Sequence, residues 1–406
     1  SGEAGGGEIS LWPTNLGLAA TFDPELVKEF GKIASKEYRA MGIGTALSPQ
    51  VDLATEPRWI RINGTFGEDP ALARDMTKAY IDGFQSTFDE NGNDLGWGKD
   101  SVNAMIKHWP GDGMGESGRE SHSETGKYAV YPGGQFETHL IPFVDGGFQL
   151  EGKTKAAAAV MPSYSIAWDA EGAFGEHVGS GYSTYKIKHL LRDRYNYDGV
   201  VCTDWMITSF MTWGVNDLSE AERHYKALLA GVDQFGGNNE KGPVLAAYEI
   251  GKKEIGEKAI RKRFEESAVR LLKNIFQLGL FEDPYLDVEA SKAIVGKAEY
   301  MAKGYEAQLK SIVLLKNKNK IIKKAEDTQE KPTVYIPMRY RPAEKVVFGP
   351  INTYTPASWD LPVNLEIAER YFNVITDQVT VPTGRDEEGN PLYTAEDIQR
   401  PAADQL

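Results

Sequence analysis

One carboxylate stands directly after an apolar run in the stretch YDGVVCTDWMIT, residues 197–208. The run 199–202 predicts a buried strand, which would hold Asp204 rigidly at its end, with Trp205 following. A carboxylate fixed in this way can serve as a nucleophile or as an electrostatic stabiliser of an oxocarbenium-like transition state. Alone it is weak evidence, since an aspartate at a strand end is more often a helix cap or a salt-bridge partner.

Further polar side chains stand where other predicted strands end or in a neighbouring loop. Lysine, arginine and histidine donate hydrogen bonds to hydroxyl oxygens, and a carboxylate accepts them from hydroxyls. The set therefore suits a neutral, hydroxyl-rich ligand if the chain brings it to one face. Its members are Arg61, Lys107, His108, Tyr164 and Asp233.

Helical and strand patterns alternate along the chain, which predicts parallel strands covered by helices. We interpret the first part as a (β/α) TIM-type barrel, in which the carboxyl ends of the strands form the reactive face. Five strands are recognisable where a barrel needs eight, so we expect the barrel to be incomplete at its N-terminal side. A doubly wound open sheet is the alternative, disfavoured because no glycine-rich phosphate loop follows the first strand. The predicted strands are 43–53, 102–109, 156–165, 199–204 and 232–237.

The predicted domain organisation has three parts. Residues 1–282 form the barrel domain, 283–299 a linker, and 300–406 a partial C-terminal α/β sandwich domain. The charged run 316–332 is interpreted as a solvated loop.

Composition excludes several function classes. The 406 residues carry a formal net charge of −14 at pH 7, which disfavours a nucleic-acid partner. No run of about 18 apolar residues predicts a membrane span. The single cysteine, Cys202, lies in an apolar pattern typical of the core, and the six histidines have no metal-ligand spacing. We therefore expect no metal and no cofactor.

Seven segments, taken in order, resemble glycoside hydrolase family 3, the β-glucosidase group. The similarity runs from about residue 11 to at least 317, and it lies in seven motifs together rather than in any one of them. They are GLAATFDPELV, RAMGIGTALSPQVDLATEPRWIRINGTFGEDPALA, KHWPGDG, MPSYS, GVVCTDW, AGVD and KSIVLLKN.

The resemblance implies a retaining, exo-acting β-glycoside hydrolase that releases glucose from the non-reducing end of β-glucosides or β-glucans. Asp204 matches the nucleophile that forms a covalent glycosyl-enzyme, and Trp205 the aromatic wall for the leaving group. The sugar-holding residues would be Arg61, Lys107 and His108, with Tyr164 as the phenol beside the nucleophile. Asp69 would cap the next helix. Export to the periplasm or the extracellular space is expected from the resemblance, although the sequence has no signal segment.

The sequence departs from the family pattern in three respects. Ile60 stands where the family usually has glycine, and 63–65 differ as well. An early sugar-binding aspartate of the family has no counterpart. The carboxylates near the end, Glu387, Glu388 and Glu396, match no acid/base motif. We therefore expect the acid/base outside this chain, supplied by a complementary fragment or by the remainder of the same polypeptide, and little activity from the chain alone.

Two alternatives stay open. Glu120-Ser121-His122 lies where the β-N-acetylglucosaminidase branch of the family carries its acid/base histidine, so His122 could fill that role here. The second alternative is a non-catalytic carbohydrate-binding relative that kept the fold and lost the chemistry.

Overall fold

A computed structural model describes residues 8–169, 171–319, 331–348, 351–382, 384–386 and 389–403. The chain divides into two compact units, Ser1–Val313 and Leu314–Leu406. Glu387 and Glu388 lie outside the described residues. In the part of the chain that the structure describes, no helix is both long and apolar enough to cross a bilayer.

The first unit is built on a four-stranded parallel sheet with the order β1-β4-β6-β8. Two short pairs accompany it, β2 with β3 antiparallel and β5 with β7 parallel. The strands are β1 (Thr45–Ala46), β2 (Thr87–Phe88), β3 (Asp94–Gly96), β4 (Asn103–Trp109), β5 (Tyr128–Ala129), β6 (Ala159–Pro162), β7 (Ile166–Ala167) and β8 (Val200–Val201).

Helices connect and cover these strands. They are α1 (Asn15–Ala19), α2 (Pro24–Ala40), α3 (Pro70–Gln85), α4 (Phe136–Ile141), α5 (Glu220–Ala230), α6 (Lys241–Glu254), α7 (Glu257–Phe276), α8 (Val288–Ile294) and α9 (Ala298–Lys310). Two helical segments have π-type hydrogen bonding, Pro142–Gly147 and Tyr185–Arg194. Short 3₁₀ turns lie at Ile62–Gly64, Glu116–Gly118, Glu124–Gly126, Pro132–Gly134 and Ser180–Tyr182.

Local sequence signals place the helix starts. The Asp23 and Asp69 side chains accept hydrogen bonds from the backbone N–H groups of Leu26 and Leu72, and proline follows each aspartate. Ser219 and Glu222 form a complete capping box at the start of α5. Each of these side chains satisfies one of the orphan N–H groups at the start of its helix. The helix-capping role expected for Asp69 is confirmed.

The strand order distinguishes the two sheet architectures considered above. Each strand of the main sheet pairs with the next one in chain order, and a parallel bridge between Cys202 and Gln234 adds a fifth segment in the same sense. A doubly wound sheet reverses its strand order at a switch point, whereas a barrel does not. The order is therefore that of a barrel, although hydrogen bonding does not close a ring within the described residues. The predicted strand 232–237 is reduced to this bridge.

The core of the main parallel sheet is apolar. Met105, Ala159, Met161, Val200 and Cys202 pack together, and each is almost completely buried. Successive side chains of a strand alternate between its faces, so Lys107 lies on the same face of β4 as Met105. Burial raises the pKa of the Cys202 thiol to about 12. This fits the prediction of a core cysteine.

The second unit contains short strands and one helix among its described residues. The strands are β9 (Thr333–Ile336), β10 (Arg339–Arg341), β11 (Glu344–Phe348), β12 (Ile351–Thr355), β13 (Ser358–Asp360), β14 (Asn373–Thr376), β15 (Gln378–Val379) and β16 (Ile398–Gln399), and the helix is α10 (Leu365–Tyr371). β9 and β14 are parallel, and the other three pairs are antiparallel. The domain boundaries at 282 and 300 stay a prediction.

Candidate active site

Asp204 lies two residues after Cys202, where the parallel sheet ends. Its Oδ1 accepts a hydrogen bond from the backbone N–H of Trp205 at 2.7 Å. Its Oδ2 is buried and has no hydrogen-bond partner among the described residues. Buried polar atoms are nearly always paired, so an unpaired carboxylate oxygen indicates a place where a ligand atom belongs.

Lys107 and His108 reach the same place from the end of β4. Both are buried, and His108 Nε2 lies 3.7 Å from Asp204 Oδ2. Burial, together with the positive charge of Arg61, lowers the pKa of the Lys107 ammonium and of the His108 imidazole, while Asp204 opposes both shifts. The imidazole is therefore held neutral.

Arg61 joins this group through the imidazole. Its Nη2 lies 3.0 Å from His108 Nε2, and its Nη1 is buried without a hydrogen-bond partner in the described part of the chain. Nη1 is 3.9 Å from Glu120 Oε1, which is an ion pair but is too long for a hydrogen bond. Arg61 thus offers a donor and Asp204 an acceptor, and neither atom is satisfied by the residues described. A hydroxyl group can serve both kinds of partner.

Asp52 holds His108 from behind and is fully buried. Its Oδ2 lies 2.8 Å from His108 Nδ1, and its Oδ1 accepts from the backbone N–H groups of His108 at 3.0 Å and Asp112 at 2.8 Å. Burial raises the pKa of the Asp52 carboxyl, and the hydrogen bond from the His108 backbone is the largest opposing influence.

Tyr164 and Trp205 form the wall beside Asp204. The buried Tyr164 hydroxyl donates to the Trp205 carbonyl at 2.8 Å. Burial raises the pKa of this phenol, and the Asp204 charge raises it further, so the hydroxyl stays protonated. A Cβ on Gly236 would lie 2.3 Å from the Thr203 carbonyl oxygen and 2.8 Å from the Trp205 ring, so glycine is required for this close approach.

Glu120 and His122 form an imidazole–carboxylate pair on the Arg61 side. His122 Nδ1 lies 2.5 Å from Glu120 Oε1, and the His122 ring lies 4.6 Å from the Tyr164 ring. Burial alone would raise the pKa of Glu120, but the hydrogen bond from His122 and the nearby positive charges lower it overall. The Trp59 indole donates to Glu120 Oε2 at 2.7 Å.

Apart from Asp233, every site residue predicted from the sequence is connected to Asp204, either directly or through a neighbour. Three further residues escaped the sequence reasoning, namely Asp52, Glu120 as a partner of Arg61, and Asp112. Asp112 accepts from the Ser121 hydroxyl at 2.8 Å, and burial, followed by the charge of Glu120, raises the pKa of its carboxyl. Asp52 follows the apolar segment 43–51, just as Asp204 follows an apolar strand. This pattern could have identified Asp52 from the sequence.

Asp233 is the exception, and its predicted place at the reactive edge is wrong. Its backbone N–H donates to the Val201 carbonyl, and its side chain accepts from the Val201 N–H, further down the sheet than Asp204. The Gly236 N–H, by contrast, donates to the Thr203 hydroxyl at 2.8 Å. The Asp233 carboxylate is enclosed by the guanidinium groups of Arg192, Arg263 and Arg270.

A cavity of about 340 Å³ lies beside the site rather than over Asp204. It is bordered by the segment 9–15, by Glu37 and Tyr38 of α2, and by Arg61. Among the described residues, no three His, Cys, Asp or Glu side chains are grouped so that they could hold a metal ion.

The sequence matches a known family over most of the first unit. A family model described as "Glycosyl hydrolase family 3 N terminal domain" matches residues 2–272. The periplasmic beta-glucosidase/beta-xylosidase of Dickeya chrysanthemi is 42% identical over 334 residues, covering 77% of this chain and 48% of that protein. Beta-glucosidase C of Emericella nidulans is 40% identical over 326 residues, covering 78% and 49%. The chain spans about half the length of these relatives.

Solved structures share the fold. A beta-glucosidase involved in saponin metabolism from intestinal bacteria has a TM-score of 0.62 at 25% identity, covering 77% of this chain and 38% of that one. A beta-glucosidase from Listeria innocua has a TM-score of 0.64 at 23% identity, covering 81% and 41%. The barrel-type α/β fold predicted from the sequence is confirmed.

Proposed function

The chain belongs to glycosyl hydrolase family 3, and from this premise we propose that it carries the nucleophile side of a retaining, exo-acting β-glycosidase site. The substrates would be β-linked glucosides or β-glucans that yield glucose from the non-reducing end. The observation that carries the proposal is the buried Oδ2 of Asp204, which has no hydrogen-bond partner among the described residues and lies 3.7 Å from the His108 Nε2 atom that Arg61 also contacts. Beta-glucosidase and beta-xylosidase relatives support the class of reaction.

The chemistry follows from the positions of the side chains. Asp204 Oδ2 attacks the anomeric carbon, the bond to the aglycone oxygen breaks as a general acid protonates that oxygen, and a covalent glycosyl-enzyme forms. Water then gives a proton to the same group, now a base, displaces the carboxylate and releases the sugar. Arg61 and Lys107 donate to sugar hydroxyls, His108 holds the Arg61 guanidinium through Nε2, and the half-buried Trp205 contacts the leaving group. The rigid strand end keeps Asp204 in place for in-line attack.

The proposal assigns only the nucleophile and the sugar-holding groups to the described residues. It places the general acid outside this chain, as the resemblance implies. We also propose export, which the name of the periplasmic relative supports.

A covalent trap tests this assignment without needing a general acid. 2,4-Dinitrophenyl 2-deoxy-2-fluoro-β-glucoside has a leaving group that departs unprotonated, and the fluorine slows hydrolysis of the intermediate. Intact-protein mass spectrometry should show a gain of one fluoroglucosyl group, and peptide mapping should place it on Asp204. The α-anomer is the matched control and should not react. No label after prolonged incubation, or a label on another residue, would refute the proposal and favour the non-catalytic alternative.

One observation favours His122 as a second candidate for the acid/base. Its Nδ1 is bonded to Glu120, and its ring contacts Tyr164, which itself bonds Trp205 next to the nucleophile. If His122 protonates the leaving group, His122→Ala should slow reaction of an aryl glycoside with a poor leaving group by about 10²–10⁴-fold and spare the dinitrophenyl compound. Equal effects on the two substrates would exclude this role.

A further inference from the structure

We infer that Asp52 is a positioning residue whose carboxylate fixes the tautomer of His108 and so keeps the Asp204 nucleophile free. The inference rests on the proposed function of Asp204. It starts from the contacts of Asp52: two backbone N–H groups donate to Oδ1, and Oδ2 lies 2.8 Å from His108 Nδ1. An ionised carboxylate has acceptors only, so in its contact with Oδ2 the Nδ1 atom carries the proton.

The other ring nitrogen leads to the same conclusion independently. Arg61 Nη2 lies 3.0 Å from His108 Nε2. A guanidinium has donors only, so Nε2 must be the acceptor and carry no hydrogen. The imidazole is therefore neutral, with its proton on Nδ1, and the low pKa that burial and Arg61 impose on it agrees with this state.

The tautomer matters because Nε2 also faces the nucleophile. It lies 3.7 Å from Asp204 Oδ2, the buried oxygen that no described residue pairs with. With the proton on Nδ1, Nε2 has nothing to donate to Asp204, and the carboxylate oxygen stays available for the anomeric carbon. With the proton on Nε2, the imidazole would turn a donor towards both Asp204 and Arg61. At 3.7 Å this N–H would be too far from Oδ2 for a full hydrogen bond, but its positive hydrogen would face the carboxylate and would repel the Arg61 guanidinium.

The backbone around Asp52 is built to keep it in place. Gln50 forms a parallel bridge with Lys107, and the N–H of Val51 donates to the Lys107 carbonyl at 2.8 Å. Asp52 therefore leaves the sheet directly beside His108, the residue that it orients. Its side chain is completely buried behind the imidazole, and so its effect on the reaction passes through His108.

Asp52→Asn tests the inference because it preserves shape and reverses the polarity at one atom. The oxygen of the introduced amide can still accept the two backbone N–H groups, so the amide nitrogen must face Nδ1 and force the proton onto Nε2. We expect labelling of Asp204 by the dinitrophenyl fluoroglucoside to slow by about 10²–10⁴-fold, the range seen when an orienting carboxylate next to a histidine is lost elsewhere. Asp82→Asn, which alters a buried carboxylate bonded to Gly152 N–H away from the site, is the matched control and should label normally.

Nitrogen-15 NMR of the histidine side chains reads the tautomer directly and needs no turnover. In the wild-type chain, His108 should carry its proton on Nδ1, and in Asp52→Asn on Nε2. A wild-type Nε2–H would overturn the inference even if the variant failed to fold. If the wild type labels and Asp52→Asn labels equally fast, the inference is also wrong, while the proposed function stands. If the wild type does not label at all, the proposed function fails, and the NMR result alone decides the role of Asp52.

Discussion

Asp204 and Asp233 are buried aspartates on neighbouring segments of one parallel sheet, but their surroundings are opposite. Asp204 accepts one hydrogen bond, from a backbone N–H, and its second oxygen has no partner among the described residues. Asp233 accepts from the Val201 N–H, the Ser267 hydroxyl and three guanidinium groups, and both of its oxygens are used. Among the described residues, the same residue type therefore has an oxygen without a hydrogen-bond partner in one place and two fully bonded oxygens in the other.

The difference shows what would separate a structural carboxylate from the nucleophile proposed at Asp204. Asp233 ties the π-type segment Tyr185–Arg194 and helix α7 to the sheet, because Arg192 comes from the first and Arg263 and Arg270 from the second. An oxygen that must attack carbon cannot be held by such a set of donors. The donor count around a buried carboxylate is therefore a better guide to its role than its position along a strand.

The largest expected effect separates chemistry from stability at Asp204. Asp204→Asn should reduce covalent labelling by about 10⁴–10⁶-fold, as loss of a nucleophile does in other enzymes. The free energy of unfolding should change by less than the worth of one hydrogen bond, about 1 kcal/mol, because the amide oxygen can still accept from Trp205 N–H. Labelling kinetics and urea unfolding measure the two quantities. A strongly destabilised variant would mean that Asp204 also has a structural role.

The second effect is the converse, a loss of stability without a loss of labelling, and it is expected at Asp233. Asp233→Asn removes the charge that balances three buried or half-buried guanidinium groups, and we expect a loss of about 3–5 kcal/mol in the free energy of unfolding. Labelling of the fraction that remains folded should proceed at the wild-type rate, since Asp233 lies away from the site. Unchanged stability in chemical denaturation would show that the ion pairs of Asp233 do not hold the segment Tyr185–Arg194 and helix α7 to the sheet.

Lys186 extends the comparison to a buried cation. Its ammonium donates to the Ser180 hydroxyl at 3.2 Å, and burial lowers its pKa to about 7. Between about pH 7 and 10.5 the unfolded chain binds a proton that the folded chain has lost, so stability should rise with pH by at most about 1.4 kcal/mol per unit. Lys186→Met should remove that slope. Melting curves of the wild type and the variant, recorded from pH 6 to 10, measure it and should otherwise have the same shape. A slope that survives the substitution would belong to another group.

The smallest effect is expected at Asp198, an exposed residue that shares Arg270 with Asp233. Asp198 pairs with Arg270 at 3.1 Å, but its side chain is 75% exposed. Exposed pairs contribute little, so Asp198→Asn should cost less than about 1 kcal/mol in urea unfolding. It is the matched control for Asp233→Asn, because the two aspartates share Arg270. Equal losses in both variants would contradict the distinction between buried and exposed partners.

Local patterns predicted the fold, and for the same physical reason they pointed to most of the side chains that the structure groups around Asp204. Apolar strands, capped helices and the polar residue that follows each strand are local patterns, and Asp204, Lys107, His108 and Tyr164 all lie in such patterns. Asp233 was misplaced because its partners come from helices 30–41 positions away in the chain, which no local pattern reveals. Asp52 follows an apolar segment as Asp204 does, but its contact with a histidine 56 positions further along is what no local pattern reveals.

The chain-ordered sheet has a consequence for how the molecule assembles. Each strand pairs with the one before it, at separations that range from 58 positions between Thr45 and Asn103 to 32 between Val201 and Asp233. Loop-closure entropy grows only with the logarithm of loop length, so these steps differ by about 0.5 kcal/mol, and none stands out as a bottleneck. A chain emerging from the ribosome can add its strands one by one in the order of synthesis. The contact between Arg61 and His108 can form early, and Trp205 and Gly236 complete the site last.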